Sequence, residues 1–172
     1  MRMLLTALFA TAAAVSAWAG PVEDGVARGM KALEARDVVS AMAAFTEVLE
    51  ADPRNVTAAY ERGRLLLVIG EPGNAVADFT TAILGDPGFG RAYVGRAQAK
   101  LVLKDAESAI ADFDQAIMAA PKDFEVHVAR AAFRVRIGNL PGAREDLANA
   151  KAVADEATAA KIAQMLERLG AP

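Results

Sequence analysis

Apolar residues are spaced along this chain with two periods, one short and one long. The short one is helical, with apolar side chains three or four apart sharing a face. No long alternation of apolar and polar residues suggests a strand. The long period is 34 residues: Ala41 and Phe45 precede Pro53 by the same offsets at which Ala75 and Phe79 precede Pro87, and Ala109 and Phe113 precede Pro121. Counting back from each proline gives units 22–55, 56–89, 90–123 and 124–155, the last with Asp155 in the proline position. A unit of this length cannot bury its apolar face alone and stacks on its neighbours.

Within each unit the pattern is specific. Position 8 holds Gly29, Gly63, Ala97 and Ala131, and position 20 holds Ala41, Ala75, Ala109 and Ala143. Position 24 holds Phe45, Phe79, Phe113 and Leu147, and position 27 holds Val48, Ala82, Ala116 and Ala150. Small residues at 8 and 20 let two helices approach closely, and the large side chain at 24 fills the space where a third helix arrives. Proline ends the second helix, because the residue before it is pushed out of the helical region. Gly70 with Pro72-Gly73, and Gly138 with Pro141-Gly142, read as a helix stop followed by a helix start. In these residues the chain resembles the tetratricopeptide repeat family over residues 22–155. The resemblance implies an all-α, right-handed solenoid of four helix–turn–helix units.

Beyond the fourth unit, Ala159, Ile162, Ala163, Leu166 and Leu169 follow one helical face, with Gly170 at its stop. A solenoid exposes its last apolar face unless something covers it, so residues 156–172 are expected to form a capping helix.

Composition changes the picture at the N-terminus. Arg2 precedes an apolar run from Met3 to Val15, and Ala17-Trp18-Ala19 offers small residues at a cleavage site. Residues 1–19 have the layout of a secretory signal peptide whose apolar core is short for a membrane span. The mature chain is then expected in the periplasm or outside the cell, without stable membrane insertion. The alternative is a structural subunit of an envelope assembly that stays anchored through an uncleaved segment. After cleavage, 18 Lys and Arg stand against 22 Asp and Glu, a net charge of −4 that gives no footprint for nucleic acid. There is no cysteine, and Ala supplies 41 residues, which suits close-packed helices.

Charge is also written into the repeat. Position 7 is Arg28, Arg62, Arg96 and Arg130, while position 23 is Ala44, Asp78, Asp112 and Asp146. Pairing within each unit joins Arg62 to Asp78, Arg96 to Asp112 and Arg130 to Asp146, leaving Arg28 over. The capping helix carries Ile162 instead of an arginine. These ion pairs are expected to set geometry and register, and the contrasting reading is an arginine ladder for an anionic ligand.

No catalytic constellation is visible. His127 is the sole histidine, so a zinc site would need carboxylates around one imidazole, and no metal or other cofactor is expected. Ser40 and Ser108 read as capping or first-turn residues of second helices rather than nucleophiles. Gly70-Glu71-Pro72-Gly73 lacks the ending of a phosphate loop, and Asp112 and Asp114 point in different directions on one helix.

The resemblance implies that first helices line a concave face. It places Tyr60, Arg64, Leu67, Arg91, Val94, Gln98, Leu101 and Val128 there, with Tyr60, Arg64, Arg91 and Gln98 as the exposed contacts; the alternative is that much of the apolar row, its valines above all, is core between repeats. Val26 and Met30 stand where family members that hold a carboxylate terminus carry lysine and asparagine, so that clamp is absent. The expected function is a non-catalytic scaffold of the cell envelope that holds a peptide or protein segment in this groove.

Overall fold

The structure, a computed structural model, describes the backbone of residues 6–170 and the side chains of residues 20–170. The described residues form helices α1 (Thr6–Glu34), α2 (Val38–Ala51), α3 (Val56–Val68), α4 (Pro72–Gly85), α5 (Gly90–Val102), α6 (Ala106–Ala119), α7 (Phe124–Arg136), α8 (Leu140–Val153) and α9 (Glu156–Arg168), with no strand among them. They pack as successive pairs, α1 on α2 through α7 on α8, and α9 closes the array against α8. The chain is an all-α solenoid of helical repeats. α1 runs unbroken across the Ala19–Gly20 boundary with Pro21 inside it. The side chains of residues 1–19 lie outside the described residues.

The turns explain the regularity. At the end of each first helix one residue takes a left-handed conformation: Arg36 (φ 58°), Gly70 (φ 84°), Lys104 (φ 65°), Gly138 (φ 77°) and, after α9, Gly170 (φ 67°). In the four full repeats the next residue's N–H returns to the carbonyl five residues back, as in Asp37 to Ala32 and Glu71 to Leu66. That same residue then starts the second helix. Asp37, Asp105 and Asn139 accept the N–H of Ser40, Ser108 and Gly142, whereas Glu71 makes no such bond and Pro72 opens α4. The fourth repeat is shorter at its end: Asp155 alone takes the place of Pro121-Lys122-Asp123 and caps α9 through Thr158.

The core is built around position 24. Phe45, Phe79, Phe113 and Leu147 are buried with the alanines at position 20 and with Val48 or alanine at position 27. The sequence expectation set positions 8 and 20 against each other, but the atoms nearest a Cβ at Gly29 or Gly63 belong to the rings of Phe45 and Phe79. Position 8 is small chiefly to accept its own repeat's ring. Phe79 also meets the next repeat, where a Cβ on Gly95 would lie 2.5 Å from its Cε1. Ile162 of α9 is 2 % exposed and packs with Leu147 and Ala150, so α9 caps the last apolar face.

Candidate partner-binding surface

Five of the eight residues expected on the concave face surround one hollow. Tyr60 and Arg64 from α3 and Arg91, Val94 and Gln98 from α5 line a volume of about 220 Å³, closed on its far side by Glu125 of α7. Leu67 and Leu101 do not line it; they pack beside Phe79 and Phe113 respectively. Val128 lines a second hollow of about 300 Å³ with Ala132, Val135, Met165 and Leu169, an almost wholly apolar surface. The contribution of α9 to that wall was not anticipated from the sequence, although Met165 and Leu169 stand four apart on its apolar face.

The first hollow is partly aromatic, and its cations are paired. The Tyr60 ring meets Phe89 edge-on at 4.7 Å between centroids, and the Arg64 guanidinium lies 5.7 Å from the Tyr60 centroid. Burial pushes the Tyr60 hydroxyl above its usual range, against the opposing pull of Arg64. Arg64 is exposed and pairs with the nearly buried Glu61 at 2.9 Å. Arg91 lies 2.7 Å from Asp123 at the end of its own repeat and 3.1 Å from Glu125 of the next, and its bond to Asp123 raises its guanidinium above the ordinary value. With its cations so matched, the hollow presents aromatic and amide surface together with paired charge.

Behind this face lies the arginine series. Arg62 grips Asp78 through two bonds of 2.7 and 2.8 Å, and Arg96 grips Asp112 at 2.9 and 2.7 Å. Arg130 grips Asp146, which is fully buried, with a shortest distance of 2.6 Å. Hydrogen bonding to Asp78 raises the Arg62 guanidinium. Burial opposes charge on Arg130, but bonds to Asp146 and Asp114 raise it overall. Arg28 is not left over: it meets Glu47 at 2.6 Å on an exposed surface, where such a pair is worth little.

Two layers of this network went unread in the sequence. Each arginine of the three buried pairs also touches the preceding repeat at position 25, through Thr46, Thr80 or Asp114. A second cation four residues on, Lys100 or Arg134, joins Asp112 or Asp146 at 2.7 and 2.9 Å. The Arg96/Lys100 and Arg130/Arg134 spacing was the available signal, since residues four apart share a helical face. With every guanidinium holding a carboxylate, the series is a register device and does not offer an open anion site.

The remaining chemical candidates are structural. His127 is buried, its Nε2–H donating to the Pro121 carbonyl at 2.8 Å, with Nδ1 unpartnered. Ser40 and Ser108 sit in the first turns of α2 and α6, bound by Asp37 and Asp105. Among the described residues no group of three or more His, Asp or Glu could hold a metal ion.

Known proteins agree with this architecture. The Tetratricopeptide repeat family model matches residues 26–88 and 60–124. Among curated proteins none matches the chain. Among solved structures, a thermophilic TPR protein of Thermus thermophilus superposes with a TM-score of 0.68 at 19% identity, over 77% of this chain and 74% of that one. MamA from Desulfovibrio magneticus RS-1 gives 0.65 at 22% identity, over 77% and 75%. The first TPR domain of Spaghetti (RPAP3), bound to an HSP90 peptide, gives 0.58 at 21% identity, over 62% and 85%. At such identities the likeness shows the fold alone. The repeat pattern, the paired helices and the matched residues together establish that this chain belongs to the tetratricopeptide repeat family.

Proposed function

We propose that the protein is a non-catalytic scaffold of the cell envelope that holds a peptide or protein segment against its concave face. The fold commonly mediates protein–protein interaction, and the RPAP3 domain, similar in fold, was solved with a peptide bound. The observation that carries the reading is the hollow lined by α3, α5 and α7, where Tyr60, Arg64 and Gln98 converge and the Tyr60 ring packs on Phe89. Tyrosine and arginine in a preformed hollow anchor interfaces at little entropic cost. The test is a pull-down from envelope extract with the wild type and with Tyr60, Arg64 and Gln98 all changed to alanine. The wild type should retain a partner that the variant loses; equal capture overturns the site.

Export through a cleaved leader is part of the proposal. Pro21 lies inside the long α1, where an interior proline forfeits a hydrogen bond and costs about 3 kcal/mol. Cleavage after Ala19 puts Pro21 in the first turn of the mature helix, where the missing N–H is harmless. Among the described residues no helix is long and apolar enough to cross a membrane. N-terminal sequencing of the cell-derived protein should start at Gly20; a start at Met1 supports the anchored alternative instead.

A further inference from the structure

The edge of the solenoid formed by the turns after α3, α5 and α7 carries apolar residues that the core does not use. Ile69, Leu103 and Ile137 end these helices and are 51%, 51% and 56% exposed. Val68 and Val102 stand beside the first two, more exposed still. The fold does not require this stripe, because the first repeat builds the same turn with Glu34 and Ala35. Contiguous exposed aliphatics on equivalent turns mark a surface that another molecule covers.

The charges along the same edge indicate which molecule. Residues 34–37, 68–71, 102–105, 136–139 and 168–170 carry net charges of −1, −1, 0, +1 and +1, counted from their side chains. The series reverses sign about its centre. It is therefore complementary to itself turned end for end, and a like-oriented copy would set acid on acid and base on base.

We propose that this edge is the interface of a two-fold homodimer whose axis passes beside Val102 and Leu103. In that arrangement Glu71 faces Arg136 of the other protomer, Glu34 faces Arg168, and the Lys104-Asp105 pair meets its own copy reversed. A surface that mates with itself is what two-fold symmetry demands. Shape agrees with charge: Val68 is an exposed knob, and a hollow of about 170 Å³ opens beside Ile137 and Asn139, its wall shared between apolar Ile110, Phe113 and Phe133 and charged Asp114, Arg130 and Arg134. The antiparallel arrangement sets the knob of one protomer against the hollow of its partner. This edge is separate from the groove between α3 and α5, so each claim stands or falls alone.

The test is sedimentation equilibrium of the full chain across roughly 1–100 µM, the range of modest homodimers. The wild type should dimerise, and Leu103→Glu should be monomeric at every concentration with an unchanged helical spectrum. Glu71→Arg should weaken association at least tenfold, and adding Arg136→Glu should restore it. Because the chain has no cysteine, orientation can be read covalently: Val102→Cys should form a disulfide dimer on mild oxidation and Ile69→Cys should not. A wild type that stays monomeric overturns the proposal. So does a dimer indifferent to Leu103→Glu, or one that Ile69→Cys crosslinks as readily as Val102→Cys.

Discussion

At the scale of single residues, the buried ion pairs carry the clearest consequences. Arg62 and Asp78 form the cleanest pair, because Leu66 stands where the later repeats place a second cation. Removing one partner leaves a largely buried charge alone and is expected to cost about 3–5 kcal/mol, the larger part falling on loss of the aspartate's partner. In urea unfolding, Arg62→Met with Asp78→Leu should then be more stable than the sum of single effects by about 1–3 kcal/mol. Additive losses would remove the pairing from the account. The pairing direction was legible in the sequence because the aspartates and arginines recur at one offset. The third contact to Thr46, Thr80 or Asp114 was not, since it joins different repeats and varies in residue type. A second prediction concerns the caps. Hydrogen bonds from Ser40 and Ser108 hold Asp37 and Asp105 below the ordinary carboxyl value of 3.8, and the N–H and hydroxyl of Thr158 do the same for Asp155. A folded value below the unfolded one gives stability that is present above pH 3.8 and is lost as pH falls through the depressed values. The melting temperature should therefore fall by a few degrees between about pH 5 and about pH 3. Asp155→Asn, which keeps the acceptor but does not titrate, should fall less steeply, and an equal fall would contradict the assignment.

At the scale of helices, close approach is set by what position 24 needs. Phe79 lies between Gly63 of its own repeat and Gly95 of the next, so one ring joins three helices. Gly95→Ala would drive a methyl into a ring that cannot yield, and should cost about 1–3 kcal/mol in chemical denaturation. Phe79→Leu clears the ring, so it should absorb much of that cost in the double variant; an unshifted cost would mean the helix relaxes elsewhere. The period and the small residues were legible because helix packing repeats identical sterics every 34 residues. Which small residue meets which ring was not, because Gly95 lies outside the recurring positions. Exchange of volume between positions also hides from a single-position reading: the larger Val48 of the first repeat is accommodated by Gly25, whose Cβ would lie 2.5 Å from it.

At the scale of the whole molecule, a closed array of four repeats and a cap presents two distinct surfaces, a concave hollow and an apolar turn edge. The sequence placed Tyr60, Arg64, Arg91, Val94 and Gln98 on one face through repeat numbering, and they do gather. Leu67 and Leu101 share that numbering yet pack against the Phe79 and Phe113 clusters, the alternative that the sequence left open for the apolar row. The sequence could not show that Arg91 is already held by Asp123 and Glu125, the first at the end of its own repeat and the second in the following one. Those contacts leave the hollow with matched charges beside an aromatic ring. The most direct measurement is a photo-reactive amino acid placed at Gln98 in the living cell, compared with one at the exposed Asp114, which does not line that hollow. A crosslinked partner from Gln98, lost when Tyr60 and Arg64 become alanine and not seen from Asp114, is the predicted result. No adduct at Gln98, or the same adduct from both positions, would contradict a partner seated in the concave hollow.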